Sequence, residues 1–216
     1  MYIPAHFDET RPELLHQLVR DHPLGLLITQ GENGLDANPI PFLLDAEDGR
    51  PGVLRAHVAR ANPVWRAARA DVETLVVFQG PQTYITPNWY PVKAETGKVV
   101  PTWNYITVQA RGKLVVRDDA AWVHQLVTRL TQRHEATQPK PWAVGDAPGD
   151  YIETMLRAIV GIEIPLVSLR GKWKMSQNRP LSDRAGMSRG LREQGDDQSL
   201  AVAGWVDRAA AKPAAG

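Results

Sequence analysis

Apolar positions recur with two different periods along this chain, and each change of period marks an element. Leu14, Leu15, Leu18 and Val19 fall on one helical stripe, preceded by Thr10 to Glu13 as a capping box with Pro12 in the first turn. His22-Pro23 ends that helix. LGLLITQ and LDANPIPFLL then read as two extended runs joined at GENG, which predicts a hairpin. After the loop AEDGRPG, the run VLRAHVAR predicts a strand, Asn62 to about Ala70 a helix, and TLVVFQG a buried strand. GPQTYITPNWYP and KAETGKVVPTWN are rich in Pro, Gly and aromatic residues, so a long irregular excursion is expected before the strand YITVQARGKLVVR.

The second half repeats the alternation. Asp118 is expected to cap a helix through about Gln132, with Trp122, Val123, Leu126, Val127 and Leu130 at helical spacing. A helix over roughly Tyr151 to Ile159 leads into the last strand, VGIEIPLVSLRGKWKM, and Asn178 to Pro180 begins a further helical stretch. From Gly195 the composition drifts, so one domain over residues 1–194 and a poorly ordered or loosely docked tail over 195–216 are expected. About six strands with helices inserted between them, several paired as hairpins, predict a mainly β fold with peripheral helices, closed as a small, mostly antiparallel barrel.

Composition removes several classes of function. The balance of 25 Lys and Arg against 24 Asp and Glu leaves a net charge of +1, a poor footprint for wrapping a phosphate polymer. With no cysteine there is no disulfide, thiolate nucleophile or cysteine-bound metal. The amino terminus lacks a signal-peptide pattern and no stretch approaches the roughly 20 apolar residues of a membrane span, so a cytoplasmic, soluble protein with no membrane partner is expected. The histidines His6, His16, His22, His57, His124 and His134 show no paired metal-ligand spacing, and no metal site is expected. GxGxxG, the Walker loop, HExxH and GxSxG are also absent.

Three stretches carry candidate chemistry. In HVARANPVW a strand stops on Arg60 and turns directly into Asn62-Pro63. Asn62 and Pro63 are explained as a helix cap and first-turn proline, while Arg60 beside the open helix start suits a phosphate. Tyr84, Trp89, Tyr90, Trp103 and Tyr105 either pin a long loop or, beside Gln82, Thr83, Thr86 and Asn104, offer surfaces to a planar phosphorylated ligand. GKWKMSQNRP gathers Lys172, Lys174, Gln177, Asn178 and Arg179, as a solvated strand end or as part of an anion site.

MYIPAHF, HVARANPVW, GPQTYITPNWY, VPTWNY and GKWKMSQNR, in that order, resemble the PaiB family of FMN-binding negative transcriptional regulators, over residues 1 to about 190. The resemblance implies a six-stranded split β-barrel, the FMN-binding split barrel, usually a homodimer with FMN in clefts between subunits. It implies that Arg60 and Asn62 hold the FMN phosphate, that the strand carrying His57 and Ala59 runs beside the ribityl chain and ring, and that Gln109 and Arg111 line the same cleft. Trp103, Asn104, Lys172, Gln177 and Arg179 match family motifs and are cofactor-binding candidates by that resemblance alone. No catalytic residue is assigned. Three roles stay open: a flavin-sensing regulator working through DNA or a protein partner, an FMN-dependent flavin reductase, and a haem protein with His6 or His57 as ligand. DNA reading lacks a helix-turn-helix, because QPKPWAVGDAPG is too long a link and the basic stretch Arg179, Arg184, Arg189, Arg192 is broken by Gly186 and Gly190.

Overall fold

Alternation of buried and open positions lays down the strands, and the changes to helical period place the helices between them. A computed structural model describes residues 1–46 and 51–210. In chain order the elements are β1 (Asp8–Glu9), α1 (Pro12–Asp21), β2 (Leu24–Gly31), β3 (Gly34–Pro41), β4 (Leu43–Asp45), β5 (Val53–Ala59), α2 (Val64–Ala67), β6 (Thr74–Ile85), α3 (Val92–Thr96), β7 (Thr102–Gly112), β8 (Val115–Arg117), α4 (Ala120–Glu135), α5 (Gly149–Arg157), β9 (Ile159–Lys174), α6 (Leu181–Gln194) and α7 (Asp197–Ala210). The loop AEDGRPG falls partly outside the described residues.

Six of these strands have seven or more residues, matching the expected count, and the rest are two or three residues long. The sheet runs in the order β3-β2-β6-β7-β9-β5-β4, with β1 and β8 also on β9. The fold is of the expected mainly β, mostly antiparallel split-barrel type with helices at its periphery, but the path from β3 to β4 is unclosed where closure was expected. The hairpin at GENG is present, with Leu24 opposite Pro41 and Gly31 opposite Gly34, where Gly34 takes a positive φ of 103°.

Two compact units are formed, and β6, β7 and β9 run through both. The first comprises Pro12–Phe78 and Gln109–Leu169. Leu27, Phe42, Leu54, Phe78, Ile162 and Ile164 are fully buried in it, with the Phe42 and Phe78 rings edge-on at 5.9 Å. Helix α4 covers part of this core through Leu126 and Leu130 against Leu43, with Trp122 beside them. Trp122 lies on Gly161, where an added Cβ would come within 2.3 Å of the indole, so β9 needs a residue without a side chain there.

The second unit comprises Met1–Arg11, Gln79–Val108 and the chain from Arg170 onward. Its core gathers Ile85, Ile106, Met175, Met187, Leu191, Val202, Ala203 and Val206. The last three lie on α7, so the segment expected as a loose tail is a packed helix as far as Ala210, and residues 211–216 lie outside the described chain. Valines spaced four apart in AVAGWV supply the buried stripe behind that correction.

Three further expectations are corrected. GPQTYI is the second half of β6, so the irregular excursion spans only residues 86–101 and contains α3. The helix expected from Asn62 to Ala70 is one turn, Val64–Ala67. Asp119 caps α4, accepting from the Trp122 amide at 2.7 Å, while Asp118 is engaged elsewhere.

Candidate functional site

On β5 the pleat sends Leu54, Ala56 and Val58 inward and Arg55, His57 and Ala59 to the other face. At the end of that strand Arg60 reaches Asp118, with Nη1 to Oδ2 at 3.0 Å and Nη2 to Oδ1 at 2.7 Å. Its remaining reach goes to carbonyls: Nε donates to Arg157 at 2.8 Å and Nη2 to Ile159 at 3.1 Å. A hydrogen bond to the Asp118 carboxylate raises Arg60 above its ordinary value, and the same bond from Arg60 holds Asp118 below the usual carboxylate range. The fork that suits a phosphate is therefore matched to a carboxylate of the same chain.

Asn62 is also occupied. Its Oδ1 accepts from the Val64 amide at 2.9 Å, the cap read from sequence, and its Nδ2 donates to Asn38 at 3.1 Å. A one-turn helix has little dipole to add, so the positive-end argument at this junction weakens. Arg55 is consumed as well: it pairs with Asp45 and donates to Glu163 at 2.7 Å, and Arg117 holds the other Glu163 oxygen at 2.6 Å.

His57 differs from these neighbours. Burial lowers its imidazole below the ordinary value, which favours the neutral ring, and Nδ1 is buried with no hydrogen-bond partner. An orphaned, neutral ring nitrogen beside an arginine at a strand end fits a polar group of a bound molecule. Ala59 is exposed next to it, and Gln109 lies half-buried on β7.

The second unit holds the remaining candidates. Asn104 is fully buried, accepting from Ser176 Oγ at 3.0 Å and approaching Met187 Sδ through Nδ2 at 3.4 Å, so it braces the core. Ser176 is buried with φ 59°, a strained setting for a residue with a side chain. Gln177 folds back on its own turn, accepting from the Met175 amide at 2.8 Å and donating to the Trp173 carbonyl at 2.5 Å. The Arg179 guanidinium stacks 4.7 Å from the centre of the Tyr90 ring.

Trp103 is half-exposed and meets Tyr84 edge-on at 6.2 Å. Lys172 is only 8% exposed, and Lys174 lies two residues on, on the same face of β9. K-W-K at period two places both ammoniums on one side and Trp173 on the other. Among the described residues no three His, Asp or Glu side chains cluster to hold a metal ion, and no helix is long and apolar enough to cross a membrane.

Residues 1–168 match the family model described as "Putative FMN-binding domain". An uncharacterized protein of Aspergillus fumigatus is 35% identical, with 95% of this chain and 96% of that one covered. The Bacillus subtilis protease synthase and sporulation protein PAI 2 is 30% identical, with 85% of each chain covered. Among solved structures, a flavocytochrome of Azotobacter vinelandii shares the fold with a TM-score of 0.56 at 10% identity, covering 80% of this chain and 72% of that one.

Proposed function

The chain belongs to the FMN-binding domain family, and we propose that it binds FMN with the phosphate at the β5–α2 junction, Arg60 exchanging Asp118 for the ligand. The observation that carries this reading is the unpartnered Nδ1 of His57, three residues before Arg60 on the non-core side of β5. His57 and Ala59 would flank the ribityl chain, and Arg60 would supply two parallel hydrogen bonds to the phosphate. Asn62 keeps its cap and holds the turn that presents Arg60. Gln109 stays as a candidate ring contact. When bound, the flavin supplies the electron chemistry, and the protein sets its position and surroundings.

The protein acts as a homodimer in this reading. Leu24 and Leu26, exposed on alternate positions of β2 at 63% and 40%, support a second copy as cover. A regulatory role is supported by the resemblance to the PaiB regulators, and the Bacillus relative is named a protease synthase and sporulation protein. Direct DNA reading has little support: on α6, Arg192 pairs with Asp207 and Arg184 donates to the Ala209 carbonyl. Regulation would run through the flavin or a protein partner.

The test is an FMN titration of the purified protein, followed by light scattering. A shifted flavin spectrum, loosened at least about tenfold in Arg60→Ala, is expected from the loss of a bidentate phosphate contact. Failure of the spectrum to change at high micromolar FMN, or a strictly monomeric protein with the cofactor present, sinks the reading.

A further inference from the structure

Two lysines of the second unit lack what every ion-paired arginine of the chain has. Lys172, 8% exposed, donates from Nζ to the Tyr2 carbonyl at 3.2 Å. Lys174 donates to Thr102 Oγ1 at 2.5 Å and to the Trp103 carbonyl. Neither makes an ion pair with a carboxylate among the described residues, although Asp8 lies directly across from Lys172 in the β1–β9 register. Glu9, the nearest buried acid along that strand, is held by Arg11 through Nε at 2.7 Å.

Burying an ammonium without a counter-charge is costly, and placing a second one beside it adds repulsion. Burial, and after it the charge of Lys172, lowers Lys174 below the ordinary lysine range. The surroundings are aromatic. The Tyr105 ring centre lies 5.3 Å from Lys172 Nζ and 5.8 Å from Lys174 Nζ, and Tyr2 lies 5.7 Å from Lys172 Nζ. These rings offset part of the missing charge but cannot accept the hydrogen bonds left on two ammoniums. Trp103 and Tyr84 extend the same aromatic surface from the strand residues nearby.

We propose that Lys172 and Lys174, bridged by Tyr105, form an oxyanion seat for the phosphate or carboxylate of a small aromatic ligand, separate from the flavin phosphate. An anion there supplies the charge that the chain withholds, and a flat body attached to it finds Trp103 and Tyr84 to lie against.

The probe is phenyl phosphate, with benzoate and inorganic phosphate as comparisons, titrated by calorimetry into the full chain holding saturating FMN. Saturable phenyl phosphate binding is expected, with inorganic phosphate weaker by about tenfold because it lacks the ring. A benzoate affinity equal to or above that of phenyl phosphate assigns the seat to carboxylates, and the reverse assigns it to phosphates. Lys172→Met and Lys174→Met should each weaken the bound probe about tenfold or more, while Lys174→Arg retains binding and Lys98→Met, at an exposed position, changes nothing. If Lys172→Met does not fold, Lys174→Met decides alone. Absence of saturable binding, indifference to both methionine substitutions, or displacement of FMN by the probe would overturn the proposal. Should FMN itself fail to bind, the same titration on the flavin-free chain still decides it, so the two readings fail separately.

Discussion

Arg60 and Asp118 form a two-point ion pair, guanidinium to carboxylate at 2.7 and 3.0 Å, at the junction where a phosphate was expected. If that arginine serves FMN, Asp118 is a competitor held in place by the chain. Asp118→Asn should then tighten FMN by several-fold, roughly 3- to 10-fold, while Arg60→Ala loosens it. Equal FMN affinity in Asp118→Asn and the unsubstituted protein would make the pair a plain fastener between β5 and the start of α4. Because Arg60 holds the Asp118 carboxyl low, its stabilising share is present above the ordinary carboxylate range and is lost as pH falls through the lowered value.

Most of the architecture could be read from period alone. Leu24 to Gln30, Val53 to Ala59 and Ile159 to Lys174 alternate or cluster as buried strands do, and each forms one. What could not be read is where side chains find partners across the sheet. Asp118 and Asp119 are adjacent and identical, so only the three-dimensional arrangement decides that one caps α4 and the other binds Arg60. Asn104 has the look of a ligand residue, and its burial against Ser176 and Met187 depends on residues more than seventy positions away. The α7 stripe was legible in its valine spacing but was outweighed by the alanine- and glycine-rich composition around it.

Glu163 is 6% exposed and sits between two arginines, Arg55 and Arg117. Burial works to raise its carboxyl, and the hydrogen bonds from Arg117 and Arg55 outweigh that, leaving it below the ordinary range. Its contribution is thus full above the ordinary glutamate value and disappears as pH falls through the lowered one. Glu163→Gln should destabilise by on the order of 2 kcal/mol at neutral pH. Thermal melts across pH check this, and the gap between variant and parent should close on the acid side. A gap that stays constant into acid would show that charge is not what Glu163 contributes.

Trp89 packs on two helical glycines of α6. A Cβ at Gly190 would come within 2.4 Å of the indole ring, and one at Gly186 within 2.2 Å of the Trp89 carbonyl oxygen. Either alanine should destabilise by about 1–3 kcal/mol through overpacking. The two differ in cure: adding Trp89→Ala should relieve Gly190→Ala, where a side chain is struck, and should not relieve Gly186→Ala, where backbone is struck. Urea melts of the singles and the pairs test it, and equal rescue of both would contradict this contact geometry.

Helix α7 buries Val202, Ala203 and Val206 completely, and Trp205 meets Trp173 of β9 edge-on at 6.0 Å. Trp173 lies between Lys172 and Lys174 in sequence with its side chain on the core side, so α7 supports the back of the strand segment that carries both lysines. A chain ending at Gln194 would strip away the helix that packs on α6. Val206→Asp places a charge in the same spot and should destabilise by about 3 kcal/mol or more, since nothing apolar there can solvate it. Loss of near-ultraviolet circular dichroism from the tryptophan pair in Val206→Asp, together with a lowered melting temperature in both variants, is the expected result. A truncated chain that keeps the melting temperature would return this segment to the status of a loose tail.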